Sequence, residues 1–248
     1  KYSLTVDGGL IASGNYMDKI TFKGNVTIPA WEDYDMVVVN NSGQLTMSNC
    51  TFLNASRCVS LKNTATIRDC VFNQSAYGIR VAGSDSVISG CDFSYCYMAI
   101  EVVEQRNKVM ECDFIHCNYG MYIVWGDNSI VKNCSLLHTW TNFQIYNTQQ
   151  VYLDNNSISA DDTEHMYILY VSGSDKIHYD HVINTSNTVN GKPIHYFFDI
   201  HDQVIDSLVA GHININYASN VTVSNISMAH SSGIQIKQSD NCTVTDST

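Results

Sequence analysis

Side chains suited to ligand binding or acid–base chemistry recur in this sequence at a nearly constant interval. The interval between Glu101 and Tyr122 is the same as the interval between Glu104 and Trp125. A third series consists of Tyr95, His116 and His138 and so extends over three repeats instead of two. The complete set of candidate binding residues is Tyr95, Glu101, Glu104, His116, Tyr122, Trp125, His138 and Trp140.

These residue types indicate carbohydrate chemistry. Aromatic rings stack on the flat faces of sugars, and carboxylates bind hydroxyl groups or calcium. A pair such as Tyr122 with His116 or His138 would also suit the proton transfers of a polysaccharide lyase. Alternatively, the rings only cover one flank of the protein, together with the aromatic residues 196–198. The sequence therefore predicts a glycan-binding surface with no required cofactor, with calcium as the one ion to consider.

A repeated motif accounts for the interval. Five cysteines recur about every 21 residues, and each is followed two positions later by phenylalanine or leucine. The same frame returns near the end of the chain, around Asn225, without the cysteine. The five cysteines are Cys50, Cys70, Cys91, Cys112 and Cys134.

The repeat predicts stacked β-strands. Apolar residues alternate with others, as at Ile79 and Val81, and a period of two is typical of strands. A unit of this size cannot bury its own apolar side, so successive copies must stack with equivalent residues above one another. The predicted fold class is all-β, a single-stranded right-handed parallel β-helix with three short strands per coil of about 21 residues. A leucine-rich repeat is disfavoured because its recurring leucines are missing.

We expect residues 1–248 to form one β-helix domain, with regular coils at about 44–156 and 203–248. Between them the rhythm breaks. Asn190-Gly191 and Lys192-Pro193 are turn signals, which predict that residues 184–202 leave the stack as a loop excursion. Neither end carries a recognisable cap for open strand edges. We therefore expect the segment to belong to a longer surface protein or to associate end to end with other copies.

The five repeat cysteines are predicted to face inward as small apolar core residues. Cys96 and Cys117 are predicted to form a second short column. Thiols stacked in register run parallel rather than towards one another, which disfavours disulfides, and a line of thiols does not provide tetrahedral metal ligands. The nine histidines form no tight group with methionine or cysteine in the sequence, so no metal site is predicted.

Asparagines in glycosylation triplets are unusually frequent. Eleven Asn-x-Ser/Thr triplets occur, which suggests a glycosylated protein outside the cell, at the cell surface. Coil turns offer a second explanation, because asparagine tolerates left-handed backbone conformations. The glycosylation candidates are Asn184, which lies in the predicted excursion, and Asn25, Asn54 and Asn73.

The excess of acidic over basic residues bears on the class of molecule that the protein binds. Lysine and arginine number 13 against 24 aspartates and glutamates, giving a formal charge of −11. This balance argues against nucleic acid, whose phosphates need clustered cations. No apolar run approaches the roughly 18–20 residues of a membrane span. The predicted partner is a polysaccharide or a surface glycan, in addition to other copies of the chain.

Several stretches resemble one known family. They are "NTVNGKPI" at 187–194, "SNVTVSNISM" at 219–228, and the coils "NCTF" and "SAYGI" that begin at Asn49 and Ser75. They resemble the NosD-type β-helix proteins, a broad group also called carbohydrate-binding and sugar-hydrolase domains and abundant in archaeal surface proteins. The resemblance covers roughly residues 44–248 and implies a right-handed parallel β-helix. Because the shared residues are packing positions of the coil, it leaves the activity open.

Two functions follow as expectations. The first is an extracellular cell-surface module that binds glycans or builds a surface structure. The alternative is a polysaccharide lyase or glycoside hydrolase acting on an acidic polysaccharide in a groove along the helix. Polygalacturonase-like motifs are only partly matched, since Gln149 stands where the first acid is expected and only Asp161-Asp162 offers a carboxyl pair. The Arg-x-Pro signature of pectate lyases is absent.

Overall fold

The chain folds as a right-handed parallel β-helix whose coils contain about 21 residues. The computed structural model describes residues 3–15, 17–24, 35–159, 167–228 and 233–247. Three parallel sheets, A, B and C, run along the stack, and each coil contributes one strand to each sheet. The all-β fold predicted from the repeat is confirmed.

The strands of the three sheets are short. Sheet A consists of Leu4–Val6, Asp35–Val39, Arg57–Leu61, Tyr77–Val81, Met98–Val102, Tyr119–Val124, Thr141–Tyr146 and Tyr167–Ser172. Sheet B consists of Gly9–Ser13, Gln44–Ser48, Ala65–Arg68, Val87–Ser89, Lys108–Met110, Ile130–Lys132, Tyr152–Asp154 and Val182–Ile183. Sheet C begins with Ile20–Lys23, Cys50–Leu53, Val71–Asn73, Asp92–Ser94, Asp113–Ile115, Ser135–Leu137, Ser157–Ser159 and Thr188–Val189.

Equivalent residues of successive coils stack in the core, as the repeat predicts. The rings of Phe22, Phe52, Phe72, Phe93 and Phe114 form one column, with centroids 4.7–5.2 Å apart and planes within 8° of parallel. The five repeat cysteines are all buried, and Cys96 and Cys117 are buried beside them. All nine cysteines are free thiols. The inward columns predicted for these cysteines are confirmed.

The thiols also bind the main chain where the coil turns. Each of the five column cysteines donates its Sγ–H to the carbonyl oxygen two residues earlier, at 3.1–3.3 Å. Cys96 and Cys117 make the same contact at 3.6 Å. In their column, hydroxyl groups take this role in neighbouring coils, from Ser75 at 3.1 Å and Thr139 at 3.5 Å. The position therefore favours a small side chain that carries a hydrogen-bond donor.

The segment 184–202 does not leave the stack, and the predicted loop excursion is wrong. Thr188–Val189 pairs antiparallel with Lys192–Phe198, so the chain reverses within the sheet. Asn190 and Gly191 form the turn with φ of 48° and 75°, and two successive left-handed residues are what a two-residue hairpin requires. The Asn-Gly pair is thus a hairpin signal, rather than the entrance to a long loop.

The residues after the hairpin form a second, smaller stack. Lys192–Phe198, His212–Asn216 and Ile234–Lys237 continue sheet C in parallel with one another, and Val204–Asp206, Thr222–Ser224 and Thr243–Thr245 form a separate sheet D. Their side chains build a second apolar cluster around Ile213, Ile215 and Val223. A short 3-10 helix, Lys176–Tyr179, precedes the last strand of sheet B.

This second stack covers the last coil of the first. Asn214 Nδ2 donates to the Leu169 carbonyl at 3.4 Å, and Lys237 Nζ donates to the Val171 carbonyl at 2.8 Å. Both carbonyls belong to the outermost strand of sheet A, Tyr167–Ser172, which would otherwise present unpaired groups. Side chains of the second stack therefore bind this strand edge.

Candidate functional site

The solvent side of sheet A is rich in aromatic side chains. Outward-facing residues occur at two positions of each strand, one at its start and one three residues later, as at Tyr119 and Tyr122. Rings at the corners on both sides of the sheet extend this surface, which we call the aromatic face. It comprises Tyr77, Tyr97, Tyr119, Tyr122, Trp125, Trp140, Tyr146, Tyr167 and Tyr170.

Main-chain pairing holds the outward residues in register. Glu101 pairs with Tyr122 in the next coil, and Tyr122 pairs with Gln144. Arg80 precedes them, and its Nε lies 3.5 Å from Glu101 Oε2. The column predicted at these positions is therefore present, and its charged members neutralise each other.

Three tyrosines at the start of the strands, or directly before it, pack edge to face. The Tyr97 ring lies between Tyr77 and Tyr119, with centroid distances of 6.3 and 5.5 Å and interplanar angles of 71° and 67°. Arg57 places its guanidinium 5.2 Å from the centroid of Tyr77 and forms a 2.8 Å ion pair with Asp35. T-shaped pairs are a favourable aromatic arrangement, so this row of rings is held in place by its neighbours.

The environment of Tyr122 keeps its phenol protonated. Partial burial, followed by the nearby carboxylate of Glu101 and the ring of Tyr146, raises the pKa of Tyr122. A general base needs the opposite shift, towards the working pH. At neutral pH the Tyr122 hydroxyl is therefore a hydrogen-bond donor beside a carboxylate, an arrangement suited to holding sugar hydroxyls.

Glu104 and Trp125 lie one step further along the coil, at the corner between sheets A and B. Trp125 has a left-handed φ of 54° and is 61% exposed. Its backbone N–H donates to the Tyr146 carbonyl at 3.4 Å, and the Glu104 carbonyl accepts a bond from Asn107 Nδ2 at 2.6 Å. The main chain thus fixes this corner while the indole ring remains open to a ligand.

Tyr95, His116 and His138 lie at the opposite corner, between sheets C and A. Their rings form a ladder, with centroids 5.2 and 4.9 Å apart and interplanar angles of 19° and 8°. All three have left-handed φ values between 51° and 54°. Trp140 follows this corner and is 46% exposed.

The eight predicted binding residues therefore divide into three groups. Glu101 and Tyr122 lie within sheet A, Glu104 and Trp125 at its far corner, and the ladder with Trp140 at its near corner. Tyr122 lies three residues beyond the start of its strand, roughly 10 Å along an extended chain. The Tyr–His pair considered for a lyase stays a prediction.

Residues 196–198 have contacts elsewhere. Tyr196 donates its hydroxyl to the Tyr179 carbonyl at 2.6 Å, and Phe198 lies edge-on to Tyr217 at 6.3 Å. Both pack against the end of the first core, and Phe197 packs on the second cluster. These rings connect the two stacks, in contrast to their predicted position over the aromatic face.

Sequence reasoning missed Tyr167, Tyr170 and Lys237. The stretch of chain between Tyr167 and its register partner Thr141 is longer than a regular coil, so Tyr167 fell outside the repeat frame. Lys237 comes from the second stack, and its Nζ lies 3.6 Å from the centroid of the Tyr170 ring. Burial lowers the pKa of Lys237 to about 8. A pairing between residues so far apart in the chain leaves no local sequence signal.

The candidate glycosylation sites differ in their surroundings. Asn184 Nδ2 is bonded to Tyr152 Oη at 2.9 Å and to Asp154 Oδ1 at 3.0 Å. Asn73 has a buried side-chain oxygen, and Asn54 lies at a left-handed corner next to the Tyr95 column. Asn25 lies outside the described residues, as does the carboxyl pair Asp161-Asp162. Modification at any of these positions stays a prediction.

The described residues hold no group of three or more His, Cys, Asp or Glu side chains arranged to bind a metal ion. Within the same part of the chain, no helix has the length and apolar character needed to cross a membrane. Calcium binding by the carboxylates stays a prediction.

Comparison with known proteins gives one assignment. No curated protein matches the sequence significantly. A family model described as the right handed beta helix region matches residues 35–199, which is more than half of the chain. Most of sheets A, B and C and the hairpin at Asn190-Gly191 lie within these limits. The chain therefore belongs to the family of right-handed β-helix proteins.

Proposed function

We propose that this β-helix is an extracellular cell-surface module of the NosD type, and that its aromatic face binds glycans. The observation that carries the proposal is the concentration of solvent-facing tyrosine and tryptophan rings on one sheet, beside the paired charges of Arg80 and Glu101. A folded protein leaves a broad aromatic surface open mainly where a partner covers it.

The physical fit is to sugars. Pyranose rings present apolar C–H faces that stack on aromatic rings, and their hydroxyl groups need donors and acceptors at the edges. The Tyr122 hydroxyl and the Glu101 carboxylate supply one of each in neighbouring coils. Trp125 adds an exposed ring at the border of the sheet. This combination supports binding of an extended glycan.

The surface location is supported by the composition. The eleven Asn-x-Ser/Thr triplets and the net charge of −11 are consistent with a protein exposed outside the cell. An archaeal source and membership of a longer or end-to-end assembled surface protein remain part of the proposal. Labelling of the native protein on intact cells tests the location, and sedimentation of the purified chain tests self-association.

Binding is tested on a panel of soluble polysaccharides by affinity electrophoresis, followed by calorimetry on any polysaccharide that retards the protein. Trp125→Ala and Tyr122→Ala are expected to weaken binding roughly tenfold each, equivalent to about 1.4 kcal/mol. The matched control is Tyr152→Ala, which removes a tyrosine from sheet B. Unchanged affinity in both face variants would refute the assignment of this surface.

The same panel tests the catalytic alternative. An enzyme would release new reducing ends or unsaturated uronate absorbance, and Tyr122→Phe or Glu101→Gln would abolish that release. Because the pKa of Tyr122 is raised, we expect binding without turnover. Turnover that is lost in Tyr122→Phe would replace the binding proposal with a lyase or hydrolase.

A further inference from the structure

Tyrosines alternate with other residues in the two outward columns of sheet A. Register partners at the start of five successive sheet A strands are Tyr77, Met98, Tyr119, Thr141 and Tyr167. Register partners three residues later in the same strands are Arg80, Glu101, Tyr122, Gln144 and Tyr170. Rings therefore alternate with non-aromatic side chains along the whole first column and over the last three strands of the second.

The spacing of these rings is set by the backbone. Neighbouring strands of a sheet lie about 4.8 Å apart, so equivalent atoms on alternate coils repeat every roughly 9.6 Å. Main-chain hydrogen bonds keep the strands in register, and the T-shaped contacts of Tyr97 hold Tyr77 and Tyr119 from the side. The tyrosines of the two outward columns thus repeat every second coil, while Tyr97 and Tyr146 lie in the coils between them.

We propose that the ligand of this face is an unbranched, neutral, β-1,4-linked polysaccharide that lies parallel to the helix axis. This inference rests on the proposed glycan-binding function. In an extended β-1,4-linked chain, successive sugars are flipped, so the same ring face returns every second unit, at about twice the strand spacing. The tyrosines of the two columns would stack on alternate sugars, while Gln144 would bind the hydroxyl groups of the sugar between Tyr122 and Tyr170.

The charges on the aromatic face favour a neutral polysaccharide as the ligand. Arg57 is paired with Asp35 and Arg80 with Glu101. Lys237 donates to the Val171 carbonyl and lies over Tyr170. The cations that the described structure places on this face therefore already have partners. A polysaccharide of uronates would in addition be repelled by the net charge of −11.

The second stack defines one end of the binding surface. Lys237 covers the ring of Tyr170 at 3.6 Å, and Asn214 binds the Leu169 carbonyl of the same strand. The alternating columns run over the five strands from Tyr77–Val81 to Tyr167–Ser172. With one sugar for each coil, the surface accommodates about five sugar units.

The inference is tested by calorimetry with cello-, xylo- and chito-oligosaccharides of two to six units, and with malto-oligosaccharides as curved, α-linked controls. Affinity for the series that binds best is expected to rise in steps, at three and at five units, when a sugar reaches the next tyrosine coil. Malto-oligosaccharides are expected to bind at least tenfold more weakly than that series. Equal gains for every added sugar, or equal affinity for the α-linked series, would overturn the proposal.

A double variant moves one ring without changing the composition. Combining Tyr122→Gln with Gln144→Tyr shifts a tyrosine by one coil within its column, where both side chains are half-buried. We expect the step at three units to become smaller, because only Tyr119 then remains on that coil, and the affinity for the pentasaccharide to fall roughly tenfold. A step at three units of unchanged size would show that the alternating columns do not bind the polysaccharide in this register. If no glycan of any linkage binds the unaltered protein, the proposed function itself fails.

Discussion

Replacing Cys96 by threonine or by valine separates two explanations for the cysteine columns. Cys96 is 1% exposed, and its Sγ lies 3.6 Å from the Ser94 carbonyl oxygen and 3.7 Å from the Phe72 carbonyl oxygen. Threonine and valine have nearly the same shape and differ in one hydroxyl group. Ser75 and Thr139 already occupy this column in neighbouring coils and donate to the carbonyl two residues earlier.

The expected magnitude follows from these contacts. A net intramolecular hydrogen bond contributes about 0.5–1.5 kcal/mol, and an unsatisfied buried polar group costs about 1–3 kcal/mol. Cys96→Thr keeps a donor, so we expect its free energy of unfolding to lie within about 1 kcal/mol of the original. Cys96→Val removes the thiol donor from the Ser94 carbonyl, which still accepts the Gln74 N–H at 3.0 Å, and should cost about 1 kcal/mol more than the threonine variant.

Urea unfolding followed by far-ultraviolet circular dichroism measures both variants, provided that their m-values agree. Thr139→Val is the companion variant, since it removes the hydroxyl from the same column two coils away. Equal stability of the threonine and valine variants at Cys96 would show that the thiols act only as small apolar residues. The hydrogen-bonding role of the column would then be refuted.

Three further outcomes are expected. Burial lowers the pKa of both His181 and His212 to about 4 from an ordinary 6.5, so the unfolded chain takes up protons first as the pH falls. These two groups should leave the free energy of unfolding unchanged above pH 6.5 and should lower it by about 3 kcal/mol for each histidine between pH 6.5 and pH 4. The melting temperature measured against pH follows this decrease. A melting temperature that does not change over this range would contradict the burial of these rings. Gly191→Ala meets no atom within 4 Å but has a φ of 75°, so it should destabilise the hairpin by about 1 kcal/mol in urea unfolding, and Gly191→Asn by less. Lys237→Met should keep the fold yet abolish the titration near pH 8 that burial produces, as observed by NMR of the lysine side chains.

The regular coils could be predicted because one repeat determines both strand positions and stacking. The spacing of Cys50 to Cys134 gave the coil length, and the phenylalanine two residues later identified the inward side. The polar role of the cysteines was not predictable in the same way. A thiol and an apolar residue satisfy the same burial pattern, and only the position of the corner carbonyls distinguishes them.

The path between Asn184 and Asp202 could not be derived from the repeat. Asn-Gly marks a tight turn equally well at the base of a loop and within a sheet hairpin. The choice depends on whether Lys192–Phe198 finds a parallel partner, and that partner, His212–Asn216, comes later in the chain. Long-range pairing of this kind also placed Lys237 over Tyr170, so one end of the candidate binding surface carried no sequence signal.

Columns of equivalent side chains within the strands and columns at the corners between strands differ in how they tolerate changes in coil length. Thr141 and its register partner Tyr167 are separated by a longer stretch of chain than the partners in the preceding coils, yet their strands pair just as regularly. In the sequence, the extra residues fall between the strands Ser157–Ser159 and Tyr167–Ser172, and main-chain bonds hold both strands in register with their neighbours. The ladder of Tyr95, His116 and His138 depends on corners of constant length, whereas the alternation of Tyr122, Gln144 and Tyr170 does not. A ligand that needs a regular period along the axis is therefore better served by the strand columns, which is why we assign the binding surface to sheet A and not to the histidine corner.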